Sequence, residues 1–331
     1  MKIPAFALLL LSLGVCAAAE PEVRVSKIWD AAPHNAFTDL ARFHDEWFCV
    51  FREADKHVGG DGKIRILASR DGDTWSSAAL IAEEGIDLRD PKICLASNDR
   101  LMLTMGGSVY RGTTTLQGRQ PRVAFSKDGR DWSAPQRVLG EGDWLWRVTW
   151  HGGEAFGVSY KTSAPEGTPD DTGEWTLTLY RSKDGVSWEM VAPLAVPDRP
   201  NETTLRFKPD AECIALVRRE TGDKQGWLGQ SLPPYREWKW QPIGRAIGGP
   251  NFLAPPTGVL WIAGRDYRDD GPKTAVGQFR DGAWKPTLTL PSGGDNGYPG
   301  MWFLRGEIWL TYYSSHEGKA AIYLARIKGG P

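Results

Sequence analysis

The sequence predicts an all-β fold, a six-bladed β-propeller of four-stranded antiparallel blades, and three observations predict it. One short pattern recurs: Ser69-Arg-Asp71-Gly72-Asp-Thr-Trp75, Ser126-Lys-Asp128-Gly129-Arg-Asp-Trp132 and Ser182-Lys-Asp184-Gly185-Val-Ser-Trp188. Its serines lie 57 and 56 residues apart, and a period of that size marks a repeat architecture. The 38 Gly and 16 Trp suit a chain with many tight turns and large buried rings. Strand-like runs fall between the turns, four to a repeat.

Each copy of the pattern has a local physics. Asp-Gly supplies a tight hairpin turn, the Asp carboxylate can accept from turn amides, and the Trp buries its ring behind them. The first repeat reads as strands 40–43, 47–52, 63–69 and 76–81. The second reads as 91–95, 101–105, 122–126 and 134–139, and the third as 147–150, 155–160, 176–182 and 188–193. After this the motif decays while the period survives. Ser231 to Trp238 stands where a fourth copy belongs, after runs 202–207 and 213–217. Phe279-Arg-Asp281-Gly282-Ala-Trp284 is a fifth remnant, after 251–254 and 259–263. The last unit, 301–304, 308–312 and 320–327, is one strand short, and the segment 24–29 can supply it and close the ring. Six units fall within the usual range of blade numbers.

Residues 1–19 read as a secretory leader, with a basic start at Met1-Lys2, an uncharged run over 5–15 and Ala17-Ala18-Ala19 as the cleavage site. A secreted or periplasmic propeller domain over 20–331 is the expectation. Cys16 follows the bulky Val15, which argues against lipid attachment. No other stretch nears the roughly 18 apolar residues of a membrane span. Cys49, Cys94 and Cys213 lie in apolar runs without zinc-ligand spacing, so buried free thiols are expected. A net charge of −1 without a basic tract argues against a nucleic-acid partner. No motif calls for a metal or cofactor, and a monomer is expected.

Blade topology singles out two positions per repeat. The residue entering strand one and the residue leaving strand two share one end of a hairpin, opposite the recurring turns. The entries are Asp39, Arg89-Asp90, Arg147, Glu202, Asn251 and Tyr298. The exits are Arg52-Glu53, Gly106-Gly107, Tyr160-Lys161, Arg218-Arg219, Arg265-Asp266 and His316-Glu317. Charges gathered at one rim are costly unless they pair with each other or with a ligand. An ion-pair network closing the tunnel is one reading. Arginines outnumbering carboxylates favour the other, an anionic ligand held by planar guanidinium forks.

The repeated S-x-D-G-x-x-W turns resemble the S-x-D-x-G-x-T/S-W Asp-boxes of the sialidase superfamily, here with one residue fewer between Asp and Trp. The stretch Asn201-Glu202-Thr-Thr-Leu-Arg-Phe with Ala215-Leu216-Val217-Arg218 resembles the family's strand pair bearing the catalytic glutamate and a carboxylate-binding arginine. Gly297-Tyr298-Pro-Gly-Met with Leu310-Thr311-Tyr312-Tyr313 resembles the stretch bearing the catalytic tyrosine. Arg265 is placed like another arginine of the family's triad, and Asp90-Pro91 resembles its Asp-Pro at the start of blade two. The resemblance implies an exo-acting glycoside hydrolase for sialic acid or a related acidic sugar, with Tyr298 as nucleophile and Glu202 as its base. A phenol, with an ordinary pKa near 10, needs such a base, and sialidases are the tyrosine-nucleophile exception among glycosidases.

Two departures stand out. The family's first triad arginine is missing, because Phe37-Thr38-Asp39-Leu40 stands where Phe-Arg-Ile-Pro belongs; Arg52 or Arg89 could substitute. The family's acid/base aspartate aligns with Val58, leaving His57, Asp55 and Asp61 nearby. His57 leads because imidazole titrates in the useful range, while Asp61 before Gly62 also reads as a turn residue. Other readings stand beside these: Tyr298 as a packing residue before Pro299, Glu202 as the ion-pair partner of Arg218, and His316 as a solvated turn histidine. His34 precedes blade one and is suggestive by position. Two other functions remain open, a hydrolase or lyase for uronic-acid glycans and a glycan-binding propeller without catalysis.

Overall fold

The computed structural model describes residues 22–329, apart from 111, 113, 163–172, 256 and 257, so the proposed leader lies outside the described residues. These residues form 23 strands and no helix. They are β1 (Val23–Trp29), β2 (His34–Phe43), β3 (Glu46–Ala54), β4 (Lys63–Ser69), β5 (Ser76–Ile81), β6 (Asp87–Ala96), β7 (Arg100–Val109), β8 (Gly118–Ser126) and β9 (Gln136–Arg137). There follow β10 (Trp144–His151), β11 (Glu154–Lys161), β12 (Thr176–Ser182), β13 (Glu189–Leu194), β14 (Pro200–Phe207), β15 (Cys213–Arg219), β16 (Gln225–Ser231) and β17 (Lys239–Leu253). The chain ends with β18 (Trp261–Arg268), β19 (Gly271–Arg280), β20 (Ala283–Thr289), β21 (Asn296–Leu304), β22 (Glu307–Ser314) and β23 (Ala321–Lys328).

The strands form five antiparallel sheets. Four have four strands: β2-β3-β4-β5, β6-β7-β8-β9, β10-β11-β12-β13 and β1-β23-β22-β21. The N-terminal β1 pairs with β23, as the missing-strand argument expects. The fifth sheet has seven strands, β14 to β20 in order. Six separate sheets were the expectation. The difference lies in β17, whose first part pairs with β16 and whose Ile247–Leu253 pairs with β18. The second repeat's last strand, expected over 134–139, shrinks to Gln136–Arg137, where Pro135 supplies no amide to the ladder.

The strands that begin the repeats form a closed ring of contacts, β2 to β6, β6 to β10, β10 to β14, β14 to β17, β17 to β21 and β21 back to β2. Apolar side chains on both faces of these sheets fill the gaps between neighbours, as in Trp47 stacked on Trp309 at 4.2 Å across the closing seam. Cys49 and Cys213 are buried and Cys94 half-buried, all free, and burial pushes their thiols up, which makes them inert packing groups. No helix in the described residues is long and apolar enough to cross a membrane.

The recurring turns form as their residues dictate. In the first, Asp71 Oδ1 accepts from the amides of Asp73 and Thr74 at 2.8 Å each, and the Gly72 amide donates to Ser69 Oγ at 2.8 Å. Trp75 Nε1 donates to Gly72 O at 3.0 Å. The turns at Asp128 and Asp184 repeat the carboxylate-to-amide bonds. At the fourth position Tyr235 takes a positive φ of 63° and its carbonyl accepts from Trp238 Nε1. The glycines of the first three turns also seat against the preceding sheet. A Cβ on Gly72 would lie 2.1 Å from Trp309, and one on Gly129 2.1 Å from Phe48.

Candidate functional site

At the opposite end of the strands the ladders break in a repeated way. The pairs β2/β3, β6/β7, β10/β11, β14/β15, β17/β18 and β21/β22 each carry a register shift near the start of the first strand. The residues that open these bulges are Phe37, Asp90, Trp146, Asn201, Gly249 and Tyr298. A bulge re-aims a side chain out of the strand's alternation. Phe37, Asp90, Gly249 and Tyr298 do so with positive φ values of 65°, 47°, 57° and 52°. The conformation is held from outside: Thr38 Oγ1 donates to Tyr298 O at 2.8 Å, and Asn251 Nδ2 donates to Pro299 O at 2.9 Å.

Four of the bulge residues, Phe37, Asp90, Asn201 and Tyr298, line a cleft of about 420 Å³ whose walls also include His57, Arg89, Arg119, Glu202, Arg218 and Arg265. At its centre Tyr298 Oη donates to Glu202 Oε1 at 2.6 Å, and Arg218 Nη1 reaches the same carboxylate oxygen at 2.9 Å and the phenol oxygen at 3.2 Å. The Gly249 amide donates to Glu202 Oε2 at 2.7 Å. Gly249 thus belongs to the site through its backbone.

The electrostatics follow from burial and these partners. Burial pushes Glu202 up, but Arg218 and the hydrogen bonds from Tyr298, Arg218 and Gly249 outweigh it and hold the carboxyl below its ordinary value. Burial and the Glu202 charge drive the Tyr298 phenol well above its ordinary range, with Arg218 and Arg265 pulling the other way. The resting pair is therefore a phenol and a carboxylate. Two further cations lie within cation–π reach of the Tyr298 ring, Arg265 at 5.3 Å and Lys92 at 5.9 Å. Burial, with Arg147 beside it, lowers the Lys92 ammonium to about 8. Burial raises the Asp90 carboxyl, whose Oδ1 has no partner among the described residues.

On one wall His57 Nδ1 lies 2.7 Å from Asp295 Oδ2, and His34 Nε2 lies 3.3 Å from the same oxygen. Asp295 Oδ1 accepts from Tyr313 Oη at 2.6 Å and from Arg265 Nη2 at 3.2 Å. Burial opposes ionisation of Asp295, but the hydrogen bonds from His34, His57 and Tyr313 hold it far below the ordinary carboxylate range.

Of the residues singled out in the sequence, Tyr298, Glu202, His57, Arg89, Asp90, Arg218 and Arg265 come together in the cleft. Three do not. Arg52 is fully buried and holds Asp87 with two bonds, Nε to Oδ1 at 2.7 Å and Nη2 to Oδ2 at 2.9 Å, which joins two sheets. Asp39 lies two residues past its bulge, where its Oδ2 accepts from Arg147 Nη1 at 2.6 Å and the Ile93 amide at 2.9 Å. Asp61 is exposed beside the buried Gly62 and does not line the cleft. Arg147, also read as a rim entry, lines a separate cavity with Cys94, Trp150 and Arg206. At Asp39 the entry was misjudged by two residues, because the bulge opened by Phe37, not the strand start, decides which side chain faces the cleft.

Sequence reasoning missed Phe37, Trp146 and Asp295 as parts of the site. Phe37 packs edge-on to Tyr298 at 5.1 Å, and Trp146 does so at 5.8 Å. Asp295 sits in Ser292-Gly-Gly-Asp-Asn-Gly, which reads as an ordinary turn. The arginine excess is also smaller than the rim suggested. Arg218 holds Glu202 and Glu220, Arg265 holds Asp295, and Arg89 holds Asp87.

No protein-family model matches this chain, and no curated protein matches its sequence. Solved structures do. A Dyadobacter fermentans protein of unknown function aligns over 92% of this chain and 99% of its own, with TM-score 0.80 and 18% identity. A Trypanosoma rangeli sialidase in complex with sialic acid aligns over 89% of this chain, with TM-score 0.69 and 10% identity; the match spans 54% of that protein. An α-L-arabinofuranosidase variant from Fusarium graminearum, bound to an iminosugar inhibitor, aligns over 89% of this chain and 93% of its own, with TM-score 0.66 and 14% identity. The likeness is one of fold. It supports a sialidase-like propeller fold.

Proposed function

We propose that the protein is an exo-acting glycoside hydrolase that works with retention, using Tyr298 as nucleophile, Glu202 as its base and His57 as acid/base. The 2.6 Å hydrogen bond from the buried Tyr298 hydroxyl to Glu202 carries the reading. A phenol held far above neutral pKa cannot ionise unaided, and a carboxylate at hydrogen-bond distance is the group it needs. In the first step Glu202 takes the phenolic proton and the phenolate oxygen bonds the anomeric carbon. The glycosidic C–O bond breaks, and the leaving oxygen takes a proton from the His57 imidazolium. In the second step neutral His57 takes a proton from water, the hydroxide bonds the anomeric carbon as the bond from that carbon to the Tyr298 oxygen breaks, and Glu202 returns its proton to the departing phenolate. Asp90, with an unpartnered carboxyl oxygen beside the cleft, offers a hydrogen bond to a sugar hydroxyl.

The fold reading that goes with it is a six-bladed ring. The seven-stranded sheet counts as two blades, because β17 divides its pairing between β16 and β18. Residues 1–19 would direct the enzyme out of the cytoplasm, and one chain supplies every wall of the cleft described here.

Arg218 and Arg265 support an acidic sugar, the sialidase-type substrate. One observation favours a neutral sugar instead: Arg265 already holds Asp295, and Thr38 stands where the family's first triad arginine belongs. A panel of acidic and neutral aryl glycosides, each with its 2-fluoro or 3-fluoro trapping analogue, tests both. The expected result is turnover of one class and a glycosyl adduct on the peptide containing Tyr298, read by mass spectrometry. Unsaturated sugar ends would replace hydrolysis with elimination. Binding without any product would leave a lectin-like propeller.

A further inference from the structure

From the geometry we infer that Asp295 is a positioning residue: it fixes the proton of His57 on Nδ1 and turns the Nε2 atom of that ring to the cleft. The inference rests on the reading of His57 as acid/base and assigns Asp295, which no motif pointed to, a part in the reaction. Its Oδ2 receives His57 Nδ1 at 2.7 Å, and the His57 side chain is 46% exposed along the cleft wall. The Nε2 atom is therefore the ring nitrogen left to meet a leaving group or a water.

The carboxylate is itself braced on every side. Tyr313 Oη and Arg265 Nη2 hold Oδ1, and the Asp295 amide donates to Ser315 Oγ at 3.0 Å. His34 Nε2 meets Oδ2 from the second direction, while its Nδ1 is buried without a protein partner among the described residues. A buried N–H without an acceptor costs more than an idle lone pair, so His34 carries its proton on Nε2 and donates to Asp295. Arg89 Nη1 binds the His57 carbonyl at 2.7 Å and locks the backbone beneath the ring. Arg265 then acts chiefly as the counter-ion of Asp295, anchored also to the Asn296 carbonyl at 2.7 Å.

The same three atoms, His34 Nε2, His57 Nδ1 and Asp295 Oδ2, lie close enough to ligate a metal. Two features oppose that reading. A ligating histidine normally donates its other nitrogen to an acceptor, which His34 Nδ1 lacks. A dication would also face the Arg265 guanidinium across the same carboxylate. A carboxylate that orients and charges an imidazole needs neither condition.

The test is histidine-labelled nitrogen NMR on the full chain, with the His57 signals assigned by His57→Gln. Neutral His57 in the wild type should carry its proton on Nδ1, and Asp295→Asn, whose amide can donate to Nδ1, should move it to Nε2. On a glycoside that the wild type turns over, Asp295→Asn should lower kcat by about 10²–10⁴-fold with KM changed only a few-fold. Tyr298→Phe should keep the wild-type tautomer while losing turnover, so failure of the nucleophile reading and failure of this one remain distinct. A wild-type proton on Nε2 overturns the inference without any variant having to fold. So does an unchanged tautomer in Asp295→Asn, or saturable binding of one Zn²⁺ that Asp295→Asn abolishes.

Discussion

At one end of the sheets Gly72, Gly129 and Gly185 turn the chain at φ values of 75°, 73° and 81°; at the other, Phe37, Asp90 and Tyr298 reach 65°, 47° and 52° with side chains attached. The first group pays no Cβ penalty, and each of its amides donates to the hydroxyl of the Ser three residues before it. The second group costs about 1–2 kcal/mol per residue and is held by neighbouring sheets, such as the bond from Thr38 to Tyr298 O. Strain of this kind persists where the surroundings over-determine it. The difference separates a scaffold end from a working end: local chemistry makes the turns, and tertiary contacts aim the residues of the cleft.

Four substitutions would break or sharpen this contrast. Tyr298→Phe keeps the ring packing on Phe37 and Trp146 and removes the hydroxyl. It should lower kcat by at least about 10³-fold with the melting temperature near that of the wild type, read by steady-state kinetics and calorimetry. Full turnover would sink the nucleophile assignment and leave the cleft end a packing device.

Gly129→Ala meets both a positive φ and the Phe48 ring at 2.1 Å. Urea unfolding should show a loss of about 2–4 kcal/mol. Gly282→Ala has a similar φ of 73° but no atom within 4 Å of the new Cβ, so only the backbone effect remains, about 1 kcal/mol. Equal losses at the two sites would mean that seating against the preceding sheet contributes nothing.

The smallest effect concerns pH. Hydrogen bonds from the Thr74 and Asp73 amides lower the Asp71 carboxyl to about 2, against about 3.9 in an unfolded chain. A depressed folded value means that the contribution is present above about pH 4 and is lost as pH falls toward about 2. The melting-temperature gap between wild type and Asp71→Asn should therefore narrow across that window. A gap that stays constant from pH 5 to pH 2 would show that the charge on Asp71 is idle.

Much of the molecule can be read before folding is considered. Ser-x-Asp-Gly turns, the run 24–29 and the alternation of short apolar strands carry the period and the ring closure, because turn chemistry and strand alternation act within a few residues. The pairing of Glu202 with Tyr298 was legible too, through the strand pairs around them. Asp39 and Arg52 were misplaced because both look like rim charges, yet Arg147 and Asp87 bury them as ion pairs. Asp295 was invisible because nothing in a Gly-rich turn says which side chain will meet two histidines more than 230 residues away.

The sequence by itself determined the all-β repeat, its spacing and the scaffold turns, since each is set by residues that touch along the chain. Only the tertiary structure decided that the second repeated feature is a bulge and that β17 serves two neighbours without a turn. It also decided that Arg89, Arg218 and Arg265 already hold carboxylates, and that Nδ1 of His57 meets Asp295. Those outcomes depend on distances between residues far apart in sequence, and only the closing of the ring fixes such distances.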